Sequence, residues 1–320
     1  MLLVNRLWAK LQRVPTRGIK LAIWIVSAVL AAIVALFGGY YYWDRYVHLG
    51  DKSPLELDIE RMEEAVRQDP QSPDARVVLA EYYVNQGMYK QALAQTDQVL
   101  GVYPENEGAL LVSGIAYVRL DQPEVAVDTL ERFVALRRDR PMANIDTILE
   151  TATYFLGESY MKLGRPDEAI PVLEAALDIS HTDADALYQL GLAYQALGRP
   201  KAALEQYRKA VRLVPDFAEV YTGMIESYSA LDQSDYVAYA RGMQAFCLQD
   251  YGTAQTHLTF AVEALPEFVP GYLGLGLTYE RLGDLQAALT AIQRAVALDP
   301  NDLAARQALG RILAATGAEG

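Results

Sequence analysis

The chain has 320 residues, 52% of them hydrophobic, a content that excludes disorder as the main state. Its 28 lysines and arginines face 41 aspartates and glutamates, a net charge of -13, and an acidic body disfavours nucleic acid, whose binding draws on cationic contacts to phosphate. A single cysteine, Cys247, excludes an internal disulfide framework and a thiolate metal cluster.

Residues 1–20 hold Arg6, Lys10, Arg13, Arg17 and Lys20 and no acid. Leu21 to Trp43 then carries no charge. At about 1.5 Å per residue a helix over this run reaches roughly 35 Å, enough to cross a hydrocarbon core of about 30 Å with some tilt. Tyr40, Tyr41, Tyr42 and Trp43 cluster at one end, as suits a membrane–water interface. A cleaved signal peptide is the competing reading, but the run exceeds the usual apolar core of about 7–15 residues and lacks a small-x-small site. A buried core helix is the other, and no other stretch is as uniformly apolar. The expectation is a single transmembrane helix at 21–43 in the plasma (inner) membrane. The basic leader 1–20 then stays in the cytoplasm, residues 44–53 form a linker, and the body lies on the extracytoplasmic side.

Pro54 to Gln68 places Ile59, Met62 and Ala65 on one helical face and stops at Asp69-Pro70. A two-helix pattern follows. From Pro73 it reads Leu79, Ala80, Tyr83, Gly87, Tyr89, Ala92, Val99 and Pro104. From Glu107 it reads Gly114, Tyr117, Ala126 and Leu130, and from Glu150 it reads Leu156, Gly157, Tyr160, Gly164, Ala169 and Ala176. From Ala184 it reads Leu190, Gly191, Tyr194, Gly198, Ala203, Tyr207, Ala210 and Pro215. A copy from Asp235 has Gly242, Tyr251, Ala254, Leu258, Ala261 and Pro266. The clearest copy starts at Val269, with Tyr272, Leu275, Gly276 and Tyr279, a turn at Gly283-Asp284, then Ala288, Ile292, Ala295 and Pro300. Small residues at the eighth and twentieth positions let two helices approach closely, with large ones filling the space between neighbours. Glycine at the fifteenth suits a left-handed backbone, and proline at the thirty-second stops the second helix.

These residues resemble the tetratricopeptide repeat (TPR), a helix–turn–helix unit of about 34 residues that stacks on copies of itself. The fold expected is all-α: the transmembrane helix, then a TPR α-α superhelical solenoid. Met62, Ala65 and Pro70 match the second helix of a repeat whose first helix is lost.

Two departures break the period. Starts at 107 and 150 lie more than one period apart, and the insertion, Arg137 to Asn144, is the one basic cluster of the acidic body. It reads as a solvated loop or as a contact for an acidic partner or lipid headgroups. A first helix from Ala218, with Tyr221, Met224, Ile225 and Tyr228, is followed half a period later by the new start at Asp235. Counted from Ala218, the twentieth position is Val237 and the twenty-fourth Arg241, so no second helix follows in register. One unpaired helix is therefore inserted. The expectation is two sub-arrays, 54–231 capped by 218–231 and 235–320 capped by 303–315, with the second docked on the first. One continuous superhelix with a local irregularity is the alternative.

No catalytic constellation emerges. His48, His181 and His257 are far apart, and no glycine-rich phosphate loop or nucleophile elbow is present. Gly271, Gly274 and Gly276 fall inside a helix, where packing explains them. The expectation is no enzyme, no cofactor, no metal and no nucleic acid.

The resemblance implies a concave groove lined by first helices at their second, fifth, ninth and twelfth positions. The Lys/Asn pattern of the family's carboxylate-binding members is missing here. Those positions hold Val77, Glu81 and Val84; Leu111, Ile115 and Val118; Tyr154, Glu158 and Met161; Tyr188, Leu192 and Gln195. In the second sub-array they hold Tyr239, Met243, Phe246, Leu273 and Leu277. Such an apolar, aromatic face suits an amphipathic helix or an extended apolar segment, unless the chain covers it itself. The function expected is a membrane-anchored scaffold that binds or assembles other membrane or envelope proteins. An accessory subunit of a larger membrane complex is one alternative. A docking arm for catalysis carried by a separate polypeptide is the other.

Overall fold

The computed structural model describes residues 16–43 and 53–316. Most of the leader, nearly all of the 44–53 linker, His48 and the last four residues lie outside the described residues. Sixteen α-helices and one short 3-10 helix (Ala143–Ile145) make up the described residues, which contain no strand.

The chain divides into two compact units, 1–70 and 71–320. The first holds α1 (Thr16–Tyr42) and α2 (Pro54–Gln68). In α1, Ile23–Tyr42 has a mean hydropathy of 2.2 and no buried residue, so it is long and apolar enough to cross a membrane. α2 starts at a reciprocal cap: Ser53 Oγ accepts from the Glu56 amide at 3.2 Å, and the Glu56 carboxylate accepts from the Ser53 amide at 2.7 Å.

The second unit contains α3 (Pro73–Asn85), α4 (Tyr89–Leu100), α5 (Glu107–Arg119), α6 (Pro123–Arg137), α7 (Thr147–Lys162), α8 (Pro166–Ile179), α9 (Ala184–Ala196) and α10 (Pro200–Leu213). It continues with α11 (Ala218–Ser229), α12 (Ser234–Cys247), α13 (Tyr251–Ala264), α14 (Val269–Leu282), α15 (Leu285–Leu298) and α16 (Leu303–Thr316). Each helix packs on the next, and each first helix also touches the following first helix, which is how a solenoid buries the faces that one hairpin leaves open.

Side-chain size sets the spacing inside each hairpin. A methyl added at Gly114 would sit 2.4 Å from Leu130, at Gly157 2.6 Å from Leu173, and at Gly276 2.5 Å from Ile292. The eighth residue is therefore the hole for the twenty-fourth, and Leu130, Leu173, Tyr207, Leu258 and Ile292 are all fully buried.

The turn between the two helices has one geometry throughout. The fifteenth residue is left-handed whether or not it is glycine: Gly87 (φ 73°), Asp121 (57°), Gly164 (67°), Gly198 (67°), Asp232 (56°), Gln249 (63°) and Gly283 (82°). The next amide then reaches back five residues, as Met88 does to Tyr83 O at 2.8 Å and Arg199 to Tyr194 O at 2.9 Å.

α11 makes this same turn. Asp232 is left-handed, and the Gln233 amide donates to Tyr228 O at 3.0 Å. The helix expected to be unpaired thus has a partner: α12 packs on it as a second helix would, and then packs on α13 as a first helix does. One hydrophobic cluster runs through the step, from Leu187 to Ala291. Aromatic contacts bind it: Tyr228 stacks on Tyr236 at 5.2 Å, and Phe268 meets Tyr236 at 5.2 Å and Tyr239 at 4.8 Å.

The insertion after α6 is closed by ion pairs. Arg137 donates to Glu107 and to Asp146, each at 2.7 Å, and Arg140 pairs with the same Glu107. Hydrogen bonding from Arg137 holds Asp146 below the usual carboxylate range; burial raises Glu107, but Arg140 and Arg137 outweigh it and the net effect is downward. Arg137 and Arg140 therefore clamp α5 to the start of α7, and Arg138 stays exposed beside Asp139.

Candidate partner-binding surfaces

The first helices carry the side chains expected at a groove, and burial divides them. Val77 and Val118 are buried at the edge of the core, and the Val118 carbonyl accepts from Lys162 Nζ at 3.0 Å. Val84, Leu111 and Ile115 are half-buried, and Glu81 is exposed on its helix, with partial desolvation of its carboxyl raising the pKa.

On α7 and α9 the positions come together. Tyr154 and Met161 are half-buried on α7, and Tyr154 meets Phe155 edge-on at 5.2 Å. Glu158, also half-buried, pairs with Lys162 at 3.3 Å. Glu158, Asp183 and Asp185 all act on the Tyr154 phenol, whose pKa is raised first by burial and then by these acids. Glu150, one turn before Tyr154, is pushed up to about 7 by burial and by the neighbouring Asp183. Burial and Asp183 also raise Asp185. An aromatic side chain thus sits among three carboxyl groups, Glu158, Asp183 and Asp185, with Glu150 beside Asp183; of these the sequence marked only Glu158 as a groove residue. Asp185 occupies the second position of its repeat, so the groove rule already pointed there.

On α9, Tyr188 leans on Phe217 at 5.1 Å and on Tyr207 at 6.1 Å, while Leu192 is half-buried. Gln195 is engaged by its own chain. Its amide nitrogen donates to Glu226, and its oxygen accepts from Tyr207 Oη at 2.9 Å and Ser227 Oγ at 3.3 Å.

Past the half-period step the expected groove residues lie differently. Tyr239 and Met243 are buried at 6% and 7% exposure. Tyr221 of α11 and Phe268 cover Tyr239, and Met243 Sδ lies 2.5 Å from where a methyl on Gly274 of α14 would sit. The reason is the double duty of α12: the face that would open on a groove is already spent on α11 and α14. Phe246 is half-buried, and Leu273 and Leu277 pack partly against the cluster of α15 and α16.

One further surface was not foreseen. Two adjoining cavities of about 440 and 490 Å³ open along α12 between α11 and α13, sharing Arg241 and His257.

A stack of helical hairpins with one face of half-buried aromatic and aliphatic side chains defines a solenoid of the protein-binding kind. Family models agree with it. Two described as "Tetratricopeptide repeat" match residues 148–216 and 269–312, and one described as "Anaphase-promoting complex, cyclosome, subunit 3" matches 59–133. The chain is a tetratricopeptide-repeat protein. A search of curated proteins finds no match. Among solved structures, MamA is 24% identical over 56% of this chain and 93% of its own, with a TM-score of 0.49. YrrB, titled a TPR protein with an unusual peptide-binding site, is 19% identical over 78% of this chain and 98% of its own, with a TM-score of 0.43. The APC/C hetero-tetramer Cut9–Hcn1 is 17% identical over 88% of this chain and 52% of its own, with a TM-score of 0.45.

Proposed function

We propose that this chain is a non-catalytic scaffold, held in the plasma (inner) membrane by α1, whose repeats bind and help assemble other membrane or envelope proteins. The observation that carries the binding reading is the α7–α9 face, where Tyr154, Met161, Tyr188 and Leu192 keep part of their surface in water beside Glu150, Glu158 and Asp185. Val77, Glu81, Val84, Leu111 and Ile115 extend that face toward the start of the array. An apolar centre with an acidic rim favours an amphipathic segment whose polar edge is basic. The membrane reading is supported by the charge-free run of α1 and its terminal tyrosines, and the basic leader favours an extracytoplasmic body. Confinement to the membrane raises the local concentration of membrane partners, so modest affinity suffices. The repeats before and after the half-period step act as two sub-arrays joined through α12. A stable accessory subunit is the second reading, and a fixed-ratio partner would favour it.

The test is extraction of membranes in mild detergent. The wild-type chain is expected to leave the membrane only with detergent and to carry protein partners with it. Tyr188→Glu with Leu192→Glu is expected to stay membrane-bound, keep its helical circular dichroism and lose those partners. Should the pair unfold the array, Leu192→Glu alone serves. Retention of every partner by a folded variant would refute the α7–α9 face, and release by high salt alone would refute the anchor.

A further inference from the structure

The two registers that meet in α12 leave one residue out of place. Arg241 is the seventh residue of the repeat that starts at Asp235 and the twenty-fourth counted from Ala218. Elsewhere the seventh position holds buried Leu79, Leu156, Leu190 and Leu275, with Ser113 the exception, and the twenty-fourth holds buried Leu130, Leu173, Tyr207, Leu258 and Ile292, with Thr96 the exception. Both registers thus place a buried side chain, in most repeats a large apolar one, where the chain supplies an exposed guanidinium.

The space around Arg241 follows from the missing half-repeat. A complete repeat after α11 would add a second helix before the next first helix began. Here α12 does that work while opening its own repeat, so it closes on α11 and leaves a cleft between α11 and α13. At the eighth position, where other repeats have glycine or alanine against the twenty-fourth, stands Ile225; it lines the cleft with Arg241. Phe260 of α13 and Leu248 at the end of α12 line it too, and they are 53% and 68% exposed. Three acids line it beside Arg241: Glu226 accepts from Gln195, Asp250 caps α13 by accepting from the Thr253 amide at 3.1 Å, and Asp232 stands at the left-handed turn after α11. Among the described residues no carboxylate pairs with Arg241.

We infer that this cleft docks an α-helix of a partner protein, with an apolar ridge for Phe260, Leu248 and Ile225 and a carboxylate for Arg241. The vacant place is that of a helix, and helices on both sides offer ridges and grooves for one. The charge follows from Arg241, whose planar fork matches a carboxylate in two hydrogen bonds. His257, which lines both cavities, adds a second nitrogen donor on the same rim. The inference rests on the reading of this chain as a protein-binding array, but it moves the contact from Tyr188 and Leu192 to a second place.

The test uses the full-length chain and a fluorescein-labelled, stapled helical peptide of about 15 residues, roughly four turns. The peptide carries leucines along one face and glutamates one turn apart, and a twin carries lysines in place of the glutamates. Fluorescence anisotropy is expected to show saturable binding of the glutamate peptide and binding of the twin weaker by about tenfold. Arg241→Glu is expected to reverse that preference, and Phe260→Ala to weaken both peptides by about tenfold. Amide exchange is expected to slow across α11–α13 when the peptide binds. Absence of saturable binding, or equal affinity for the two peptides, would overturn the cleft. Loss of binding in Tyr188→Glu/Leu192→Glu but not in Arg241→Glu would also overturn it while leaving the α7–α9 face intact. Circular dichroism confirms that each variant is folded.

Discussion

Gly191→Ala tests the packing rule on which the whole array rests. A methyl there would lie 2.3 Å from Cε1 of Tyr207, far inside contact distance. The ring has nowhere to go. It is fully buried, its hydroxyl is held by Gln195 at 2.9 Å, and on α11 a methyl at Gly223 would already be 2.5 Å from its Cζ. Overpacking of this kind costs about 1–3 kcal/mol, and better helix propensity returns up to about 1 kcal/mol. The net loss expected is about 1–2 kcal/mol, which lowers Tm by roughly 2–4 °C per kcal/mol in a chain of this size. Gly310 supplies the control. It occupies the same eighth position in α16, but nothing lies within 4 Å of an added methyl, so Gly310→Ala is expected to stabilise its helix by up to about 1 kcal/mol. Urea titrations followed by circular dichroism, with tyrosine fluorescence as a second probe, measure both. Equal effects from the two substitutions, or a Gly191→Ala chain as stable as wild type, would refute the hole-and-knob account.

The carboxyl groups of the α7–α9 face predict a pH effect. Glu150 titrates near 7 in the folded chain against about 4.3 in the unfolded one, so the unfolded state ionises first and stability falls as pH rises through that window. The group is partly exposed, and after discounting for solvent screening the penalty is about 1 kcal/mol. Glu150→Gln is expected to be the more stable protein above pH 7 by that amount and to match wild type below about 4.3; a gap of equal size in thermal melts at both ends would refute it. Gln249→Gly removes a side chain from a left-handed turn residue (φ 63°), where the backbone strain of about 1–2 kcal/mol exceeds the added chain entropy. A net gain of roughly 0.5–1 kcal/mol in the urea midpoint is expected, and a loss would show that the Gln249 side chain does more than tolerate the turn.

The period of the array was legible because its holes and knobs are chemically distinct: glycine at 114, 157, 191 and 276 announces itself wherever a large residue follows on the second helix. The turn was only half legible. Glycine marks the left-handed position at 87, 164, 198 and 283, but Asp121, Asp232 and Gln249 adopt the same backbone without the marker. That is why α11 read as unpaired. Its second-helix positions fail the side-chain test at Val237 and Arg241, while the turn geometry at Asp232 succeeds; Asp121 was the precedent that pointed to it. The groove positions on α12 failed for the same reason. A rule that assigns Tyr239 and Met243 to an open face assumes a helix with one job. The acids around Tyr154 were missed because Glu150 and Asp183 precede the positions the rule inspects, and only the fold brings them to one place.

Sharing α12 also changes how the molecule comes apart. In a repeat array the seams between units are ordinarily the weak links, and ends fray while the middle holds. At this seam the helix that would part from one neighbour is the hairpin partner of the other. Melting the last helices from α13 onward exposes the packed face of α12, and with it the aromatic contacts of Tyr228, Tyr236 and Phe268. Damage at one end is therefore passed through the middle rather than stopped there. An irregularity that looks in sequence like a break in the row acts mechanically as its rivet.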